Sequence, residues 1–276
     1  QLPSIGAGNV LRDILDSKVF SAIRLNHIFR QAKQSMIIVN AHRIQRGEFP
    51  FSRDNSDFIF YDEAEAEKIT GVISELVSSQ LPHRYKFSPI DDIQVLSPMR
   101  KTVTGVDNLN IVLQEKLNPA SAGKTEIVSG TRRFRLGDKV MQTRNNYMKL
   151  VFNGDIGRIL SIDSEEESIV VVYPDGRTTR SIEYELSEMD ELVLAYAVSV
   201  HKSQGSEYRA VVMPFSTQHY LMLQRNLLYT AVTRAKELVV LVGTKKAVAI
   251  AVRNNKTEKR YTGLKYFLAE EHPYEQ

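Results

Sequence analysis

The chain has 276 residues, of which 42% are hydrophobic and 25% are charged. This composition is typical of a soluble globular protein, and the length allows one large domain or two modest ones. The 36 basic and 33 acidic residues leave a formal net charge of +3, which is too small to indicate a polyanionic partner by itself. Cysteine is absent, which excludes disulfides, thiolate zinc sites and cysteine nucleophiles.

The hydropathy and the first residues of the sequence indicate where the protein is located and whether the chain is a fragment. No apolar run approaches the roughly 18 residues that a membrane span needs, and the opening QLPS lacks the basic and apolar regions of a signal peptide. We therefore expect a soluble cytoplasmic protein with no membrane partner. The chain does not begin with methionine, and its first residues already belong to a motif, so we expect a piece of a longer chain.

The outer parts of the sequence alternate between predicted strands and helices. The apolar run 58–61 precedes a helical pattern that reaches Val77, and the run 93–96 precedes a second helical pattern that ends at Leu117. The same alternation returns later, with predicted strands at 193–200, 210–213 and 238–242 and predicted helices at 226–235 and 246–252. Alternating strands and helices predict an α/β fold with a parallel sheet.

The middle of the chain has a different pattern. Short alternating runs separated by turn residues occupy 139–143, 157–162, 169–173 and 178–182. Closely spaced strands of this kind predict a small antiparallel barrel, for which about 70 residues are enough. The predicted organisation is therefore an α/β domain (1–120 and 191–276) interrupted by a barrel (121–190).

Charge divides sharply inside this insertion. Residues 124–158 contain eight basic and three acidic residues, a balance of +5, whereas residues 159–195 contain two basic and ten acidic residues. Two interpretations stay open. The charges could simply face water, or the basic part could form a rim that contacts nucleic-acid phosphates, with Phe134, Tyr147 and Phe152 available for stacking on bases.

Two segments imitate parts of a nucleotide site. Residues 118–125 (NPASAGKT) resemble a phosphate-binding loop that ends in Lys124, but Asn118 replaces the first glycine and the segment follows a predicted helix, not a strand. The run 58–61 followed by Asp62 imitates a magnesium-binding strand end, but it lies upstream of the phosphate-loop imitation, in the reverse of the usual order. Acids in the first turn of the next helix are the structural alternative.

Three other segments are more specific. Residues 25–31 (LNHIFRQ), 196–207 (YAVSVHKSQGSE) and 228–235 (LYTAVTRA) have the order and spacing of helicase motifs IV, V and VI, and the opening QLPS resembles the tail of motif III. Together they resemble the C-terminal half of a RecD-like (RecD/TraA type) superfamily 1 DNA helicase, of the exodeoxyribonuclease V alpha-subunit family. The resemblance implies the second RecA-like motor domain of a P-loop NTPase with an inserted SH3-like barrel. It also implies ATP-driven movement 5′ to 3′ along single-stranded DNA.

The resemblance assigns four residues to the ATP site. Arg30, just after a predicted strand at 23–25, and Arg234, inside a predicted helix, match two catalytic arginines that reach the γ-phosphate across the interdomain cleft. A positioned arginine can raise the rate of phosphoryl transfer by roughly 10³- to 10⁵-fold. Gln1 matches the motif III glutamine that senses the phosphate, and Glu207 matches the motif V acid on the nucleotide side.

The motif V segment supplies the predicted DNA contacts. Small and hydroxyl-bearing residues follow a buried strand there, so that the backbone can approach a sugar-phosphate chain and the side chains can donate to it. The candidates are Ser199, His201, Lys202, Ser203 and Gln204. His201 could instead be satisfied within the core, and no histidine spacing in the chain predicts a metal site.

The resemblance also defines the expected cofactors and partners. The phosphate loop and the magnesium-binding acid of the family belong to a preceding RecA-like domain, which this sequence lacks. We therefore expect ATP and Mg²⁺ in the full-length parent, and none bound tightly here. The expected partners are single-stranded DNA, the N-terminal RecA-like domain and, where the parent works in one, a recombination or repair complex. Two alternatives remain: a stand-alone NTPase that uses Lys124 and Asp62, and a non-catalytic nucleic-acid or protein-binding module built around the barrel.

Overall fold

The computed structural model describes residues 2, 6, 8–23, 35–53, 56–176, 178–255 and 260–270. In these ranges the helices are α1 (Val10–Ser17), α2 (Met36–Arg46), α3 (Ala66–Glu75), α4 (Leu81–Tyr85), α5 (Val106–Leu117), α6 (Arg225–Val232), α7 (Lys245–Arg253) and α8 (Leu264–Glu270). The strands are β1 (Phe58–Asp62), β2 (Ile93–Ser97), β3 (Glu126–Ser129), β4 (Arg132–Arg135), β5 (Lys139–Gln142), β6 (Ile156–Asp163), β7 (Ser168–Asp175), β8 (Thr178–Glu185), β9 (Leu192–Leu194), β10 (Ala197–Ser199), β11 (Tyr208–Phe215) and β12 (Ala235–Gly243). A π-helical turn (Leu76–Gln80) joins α3 to α4, and 3-10 helices cover Leu186–Glu191 and Thr217–Met222.

Five strands form a parallel sheet in the order β1-β12-β11-β2-β10. Successive side chains of a strand point to opposite faces, so the central strands serve two cores. In β11, Val211 and Met213 join the core that includes residues of α2, α6 and α7, whereas Ala210 and Val212 join the core that includes residues of α3 and α5. Helices on both faces of a parallel sheet confirm the predicted α/β fold.

The insertion is an antiparallel β unit, as the turn-rich sequence predicts. Five strands pair in the order β8-β7-β6-β5-β9, and β3 and β4 form a separate hairpin. Its core contains the fully buried rings of Phe134, Tyr173 and Tyr184. The hydroxyls of Tyr173 and Tyr184 lie 2.9 Å apart, and the Tyr184 hydroxyl donates to Gln142 Oε1 at 2.9 Å, so that both buried phenols are satisfied.

The sequence predicts a single strand over the apolar run 193–200. The structure instead has two short strands there, which belong to different sheets. β9 pairs antiparallel with β5 in the insertion, and β10 pairs parallel with β2 in the α/β domain. The chain passes between the sheets at Ala195 and Tyr196, where Ala195 N donates to Lys139 O at 2.8 Å. An apolar run reports burial but not the pairing partner, so hydropathy could not reveal this change of sheet. The antiparallel sheet thus includes residues beyond the predicted boundary at 190.

A buried carboxylate, that of Asp138, joins the insertion to the α/β domain. Its oxygens accept hydrogen bonds from Gln114 Nε2 (2.6 Å), Asn118 Nδ2 (2.6 Å), the Tyr196 hydroxyl (2.9 Å) and Arg135 N (2.7 Å). Gln114 belongs to α5, Asn118 ends that helix, and Tyr196 precedes β10. Burial raises the pKa of Asp138 above its ordinary range, while the four donors oppose that shift. One side chain therefore satisfies donors from both units.

Two buried cations beside Asp138 strengthen the junction. The guanidinium of Arg135 donates to Glu115 of α5 at 2.5 Å and to Glu126 of β3 at 2.8 Å. The Lys139 ammonium donates to Ile90 O at 2.7 Å, and burial lowers the pKa of Lys139 to about 8. Because both cations bond to groups across the junction, the insertion is held rigidly against the sheet.

Replacing Asp138 by alanine should destabilise the protein strongly. The substitution leaves four donors without an acceptor in a buried site, so we expect the free energy of unfolding to fall by about 3 kcal/mol or more. Urea denaturation followed by circular dichroism measures the change. As a matched control, Asp190→Ala removes an exposed carboxylate paired with Arg144, and we expect it to cost less than about 1 kcal/mol. Equal effects of the two substitutions would contradict the junction role of Asp138.

Candidate nucleic-acid and nucleotide interface

The motif V segment forms a compact loop, residues 200–207, at the carboxyl end of β10. Backbone turns close it: Ser203 N donates to Ser199 O at 3.2 Å, and Ser206 N donates to Ser203 O at 3.1 Å. Gly205 has a φ of +87°, a left-handed conformation that glycine adopts without a side-chain clash. The motif V loop is therefore a folded element on which side chains hold defined positions.

Four of the five predicted DNA contacts are partly exposed on or beside this loop: Ser199, His201, Lys202 and Gln204. The fifth, Ser203, is fully buried, and its hydroxyl donates to Val200 O at 2.8 Å. In this conformation Ser203 holds the loop together and does not face solvent; its DNA contact stays a prediction. Burial lowers the pKa of His201, which favours a neutral imidazole at neutral pH.

Lys202 connects the motif V loop to the insertion. Its ammonium donates to the side-chain oxygen of Asn153, in the connection between β5 and β6. Partial burial lowers the pKa of Lys202. No sequence pattern indicates this role of Asn153, because the partners are 49 residues apart and Asn153 has the pattern of a turn residue. The predicted DNA-binding loop and the insertion therefore share a surface.

Arg234 lies in the turn between α6 and β12, and not inside the helix as predicted. The helix ends at Val232 because the chain must turn to begin the buried strand that starts with Ala235. The half-buried guanidinium donates through Nε to Thr230 O at 3.3 Å and through Nη1 to Ser206 O at 2.9 Å. The predicted catalytic arginine of the ATP site thus contacts the end of the motif V loop directly.

The start of the chain approaches the same region. Leu2 N donates to Thr230 Oγ1 at 3.1 Å, and that hydroxyl donates in turn to Asn226 O at 2.7 Å. Thr230 therefore fixes Leu2 beside α6, one helical turn from Arg234. The two other predicted ATP-site residues, Gln1 and Arg30, lie outside the described residues, as does most of the strand predicted at 23–25.

Glu207 is exposed at the end of the motif V loop. Its carboxylate lies 3.4 Å from the ammonium of Lys236, and both side chains are about half exposed. An ion pair of this exposure contributes little to stability. Glu207 thus lies beside the start of β12, the strand that follows Arg234. Its role on the nucleotide side stays a prediction.

The two apparent nucleotide motifs have structural roles here. The Lys124 ammonium donates to Asn118 Oδ1 at 2.5 Å and to Pro119 O at 3.1 Å, and its segment leads from α5 into a strand. Asp62 ends the edge strand β1, beside exposed Lys245 at 3.7 Å. A phosphate loop needs its lysine free and a helix after it, so these residues do not fit a complete nucleotide site.

Among the described residues, two ion pairs link the basic part of the insertion to its acidic part. Basic residues of the first part bond to acidic residues of the second, as in Lys149 with Glu188 at 2.5 Å and Arg144 with Asp190 at 2.9 Å. Phe134 is fully buried, so its predicted availability for stacking is wrong. Tyr147 and Phe152 are exposed, as a surface role requires. The insertion therefore offers exposed rings beside basic residues that are only partly paired.

A buried polar network supports the sheet beneath the motif V loop. Val200 N donates to Ser97 O at 3.2 Å, and the Ser97 hydroxyl donates to Thr104 O at 2.8 Å. Thr104 Oγ1 lies 2.8 Å from Nε2 of His219, which is fully buried. Ser216 N approaches His219 Nδ1 at 3.4 Å, which favours the tautomer with its proton on Nε2. Burial lowers the pKa of His219 to about 4, so the network depends on a neutral imidazole.

Two family models match the chain. Residues 109–173 match the SH3 domain of ATP-dependent RecD-like DNA helicases, and residues 194–242 match the UvrD-like helicase C-terminal domain. The first match covers α5 and the insertion as far as β7, and the second covers the motif V loop and Arg234. The two elements that meet at Lys202 and Asn153 therefore each correspond to a helicase domain.

The relatives agree with these matches. The ATP-dependent RecD2 DNA helicase of Deinococcus radiodurans is 34% identical over 96% of this chain and 34% of its own length. The RecBCD enzyme subunit RecD of Mycolicibacterium smegmatis is 25% identical over 96% of this chain and 47% of its own length. The chain thus spans between one third and one half of these relatives. A Bacteroides Pif1 helicase structure with ADP-AlF3 and single-stranded DNA covers 82% of this chain and 53% of its own, at 17% identity and a TM-score of 0.48, too weak a likeness to support an argument.

The chain thus combines a parallel sheet with an inserted unit that matches the SH3 domain of RecD-like helicases, and its motif V and motif VI segments are in contact. Over nearly its whole length the chain is similar to RecD-like DNA helicases. Within the described ranges, no helix combines the length and apolarity of a bilayer span.

Acidification should lower the free energy of unfolding, because the buried imidazole of His219 becomes protonated. The folded chain binds this proton less readily than the unfolded chain, so the stability due to the neutral imidazole is complete above pH 6.5 and is lost as the pH falls toward about 4. The loss should reach about 3 kcal/mol. Urea denaturation between pH 7 and pH 4 should therefore show a weaker pH dependence for His219→Gln than for the unaltered chain. Parallel pH profiles for the two proteins would contradict this assignment.

Proposed function

We propose that this chain is the C-terminal motor portion of a cytoplasmic, ATP-dependent DNA helicase that moves 5′ to 3′ along single-stranded DNA. Arg234 and Arg30 would act on the γ-phosphate, Gln1 and Glu207 would lie on the nucleotide side, and the motif V loop would hold DNA. The observation that carries the proposal is the bond between Arg234 Nη1 and Ser206 O at 2.9 Å. It joins the residue that would sense the nucleotide to the loop that would hold the DNA.

The surroundings of Arg234 suit an anionic ligand. Its guanidinium has five N–H donors, and the two bonds given above go to neutral carbonyl oxygens. It forms no ion pair with a carboxylate among the described residues. A half-buried cation bound only to neutral acceptors keeps much of its charge for a phosphate, which arginine binds with planar, bidentate geometry.

The motif V loop suits a sugar-phosphate backbone. Lys202 supplies a cation, while Ser199 and Gln204 supply neutral donors at the carboxyl end of β10. Contacts of these types position a nucleic acid without reading its sequence. A neutral His201 can donate one hydrogen bond and accept another, so it can contact either a phosphate or a base edge.

Coupling then follows from the Ser206 contact. ATP, with Mg²⁺, supplies the free energy of phosphoryl transfer at a site completed by the preceding RecA-like domain, in keeping with the name of the Deinococcus relative. A shift of Arg234 toward the γ-phosphate pulls on Ser206 and changes the position of the motif V loop. The loop thereby alternates between two holds on DNA as the cleft closes and opens.

Lys202→Ala should weaken binding to single-stranded DNA and reduce its salt dependence. Each phosphate contact releases counterions, so the slope of log K against log salt should fall by roughly one unit or less. Fluorescence anisotropy with a labelled oligothymidine at several salt concentrations measures this. Lys68→Ala, which removes an exposed lysine paired with Glu65 on α3, is the matched control and should leave the slope unchanged. An affinity that does not vary with salt would refute the proposed backbone contact.

The chain by itself should hydrolyse no ATP, because its sequence contains no complete phosphate loop. In a protein that also carries the phosphate-loop domain, Arg234→Ala should lower ATP turnover by roughly 10³-fold or more. A coupled assay for released phosphate, with and without DNA, tests both expectations. DNA-stimulated turnover by the 276-residue chain would refute the first, and full turnover by the variant would refute the second.

A further inference from the structure

The connection between β5 and β6 exposes an unusual amount of apolar surface. We call residues 144–153 the aromatic loop. The exposed fractions of its large apolar residues are 71% for Tyr147, 95% for Met148, 57% for Leu150 and 41% for Phe152. Between them, Val151 is fully buried in the core of the insertion. Exposed apolar clusters of this kind mark surfaces that bind a ligand or a partner.

The aromatic loop is held in one conformation by its own hydrogen bonds. Asn146 and Val151 exchange backbone hydrogen bonds of 2.8 and 3.1 Å, and Lys149 N donates to Asn146 Oδ1 at 3.1 Å. Phe152 N donates to Asp155 Oδ2 at 2.8 Å. Leu150 adopts a φ of +55°, which a leucine rarely takes unless its surroundings impose it. The rings are therefore presented by a preformed support, which lowers the entropy cost of binding.

Asn153 places this support beside the motif V loop. Its side-chain oxygen accepts from the Lys202 ammonium, and its backbone N donates to Asn145 Oδ1 at 2.9 Å. The first bond joins the aromatic loop to Lys202, a predicted DNA contact. The second joins the end of the aromatic loop to its beginning. A strand held by Lys202 would therefore reach Phe152 and Tyr147 next.

The chemistry of the loop matches bases better than phosphates. Its two cationic side chains already form ion pairs. The Arg144 guanidinium lies 2.9 Å from the Asp190 carboxylate, and the Lys149 ammonium lies 2.5 Å from the Glu188 carboxylate. The rings of Tyr147 and Phe152 meet edge to face, with centroids 5.9 Å apart and planes at 74°. In such a pair neither ring is covered on both faces by the other, so a face is left for a planar ligand. Bases stack on such faces with little regard to sequence.

We propose that the aromatic loop is a base-stacking platform, on which Tyr147 and Phe152 hold unpaired bases of the strand whose backbone the motif V loop contacts. This inference rests on the proposed function, since it requires single-stranded DNA at Lys202. It assigns to the SH3 unit a direct part in holding DNA. Asn153 acts as a positioning residue, which keeps the platform and the cation in register.

The test compares Tyr147→Ala with Tyr147→Phe in the 276-residue chain. Stacking on one aromatic residue strengthens binding by roughly five- to a hundredfold, so Tyr147→Ala should weaken binding to an oligothymidine by at least about fivefold. Tyr147→Phe, which keeps the ring, should bind like the unaltered chain. A second oligonucleotide of equal length, made of abasic sites, has the same phosphates without bases, and Tyr147→Ala should leave its affinity unchanged. Met148→Ala, which removes a more exposed but non-aromatic side chain of the same loop, is the control and should bind both normally.

The outcomes separate the platform from the proposed function. If Lys202→Ala weakens binding while Tyr147→Ala does not, the platform is overturned and the motif V contact stands; a loop that served a protein partner would give this result. Equal weakening on both oligonucleotides would also overturn stacking. If the unaltered chain binds neither oligonucleotide, the proposed function itself fails. Thermal unfolding followed by circular dichroism confirms that each variant is folded, as expected for substitutions of exposed side chains.

Discussion

The buried carboxylate of Asp138 is the constraint on which the arrangement of the α/β domain and its insertion depends. Burying a charge is unfavourable unless hydrogen bonds compensate for it, and the compensation here comes from α5, from the residue before β10 and from the insertion's own backbone. Any rotation of the SH3 unit against the sheet would strip donors from this carboxylate. The insertion is therefore joined to the α/β domain by buried hydrogen bonds, so contacts on its surface have a defined position relative to the sheet.

This rigidity gives the motif V loop two fixed neighbours. At one end, Ser206 accepts from Arg234; near the other, Lys202 donates to Asn153. Within eight residues the loop thus contacts the proposed nucleotide side and the SH3 unit. Ser203, buried inside the loop, holds it together through its hydrogen bond to Val200 O. A single short segment can therefore transmit a displacement at the nucleotide to the surface where DNA would lie.

The charge pattern of the insertion shows why composition is an unreliable guide to binding. Its basic and acidic stretches are adjacent in sequence, and in the fold two ion pairs, Arg144 with Asp190 and Lys149 with Glu188, join them. Beside the motif V loop the insertion also exposes the rings of Tyr147 and Phe152. Electrostatic attraction in this region is therefore expected from a few residues such as Lys202, while the rings of the aromatic loop offer apolar contact.

Local patterns in the sequence determined the alternation of strands and helices, the presence of an antiparallel insertion and the motif segments, because periodicity and turn chemistry act over a few residues. They also argued against Lys124 and Asp62 as a nucleotide site but left that alternative open, and the contacts of both residues in the structure favour structural roles. Only the tertiary structure decided that the run 193–200 divides between two sheets, that Arg234 follows its helix, that Phe134 is buried, and that Asn153 meets Lys202. Each of these depends on which distant segments pair. A buried run or a turn residue has the same local pattern whichever partner it meets, so its partner is chosen by the hydrogen bonds and packing of the whole fold.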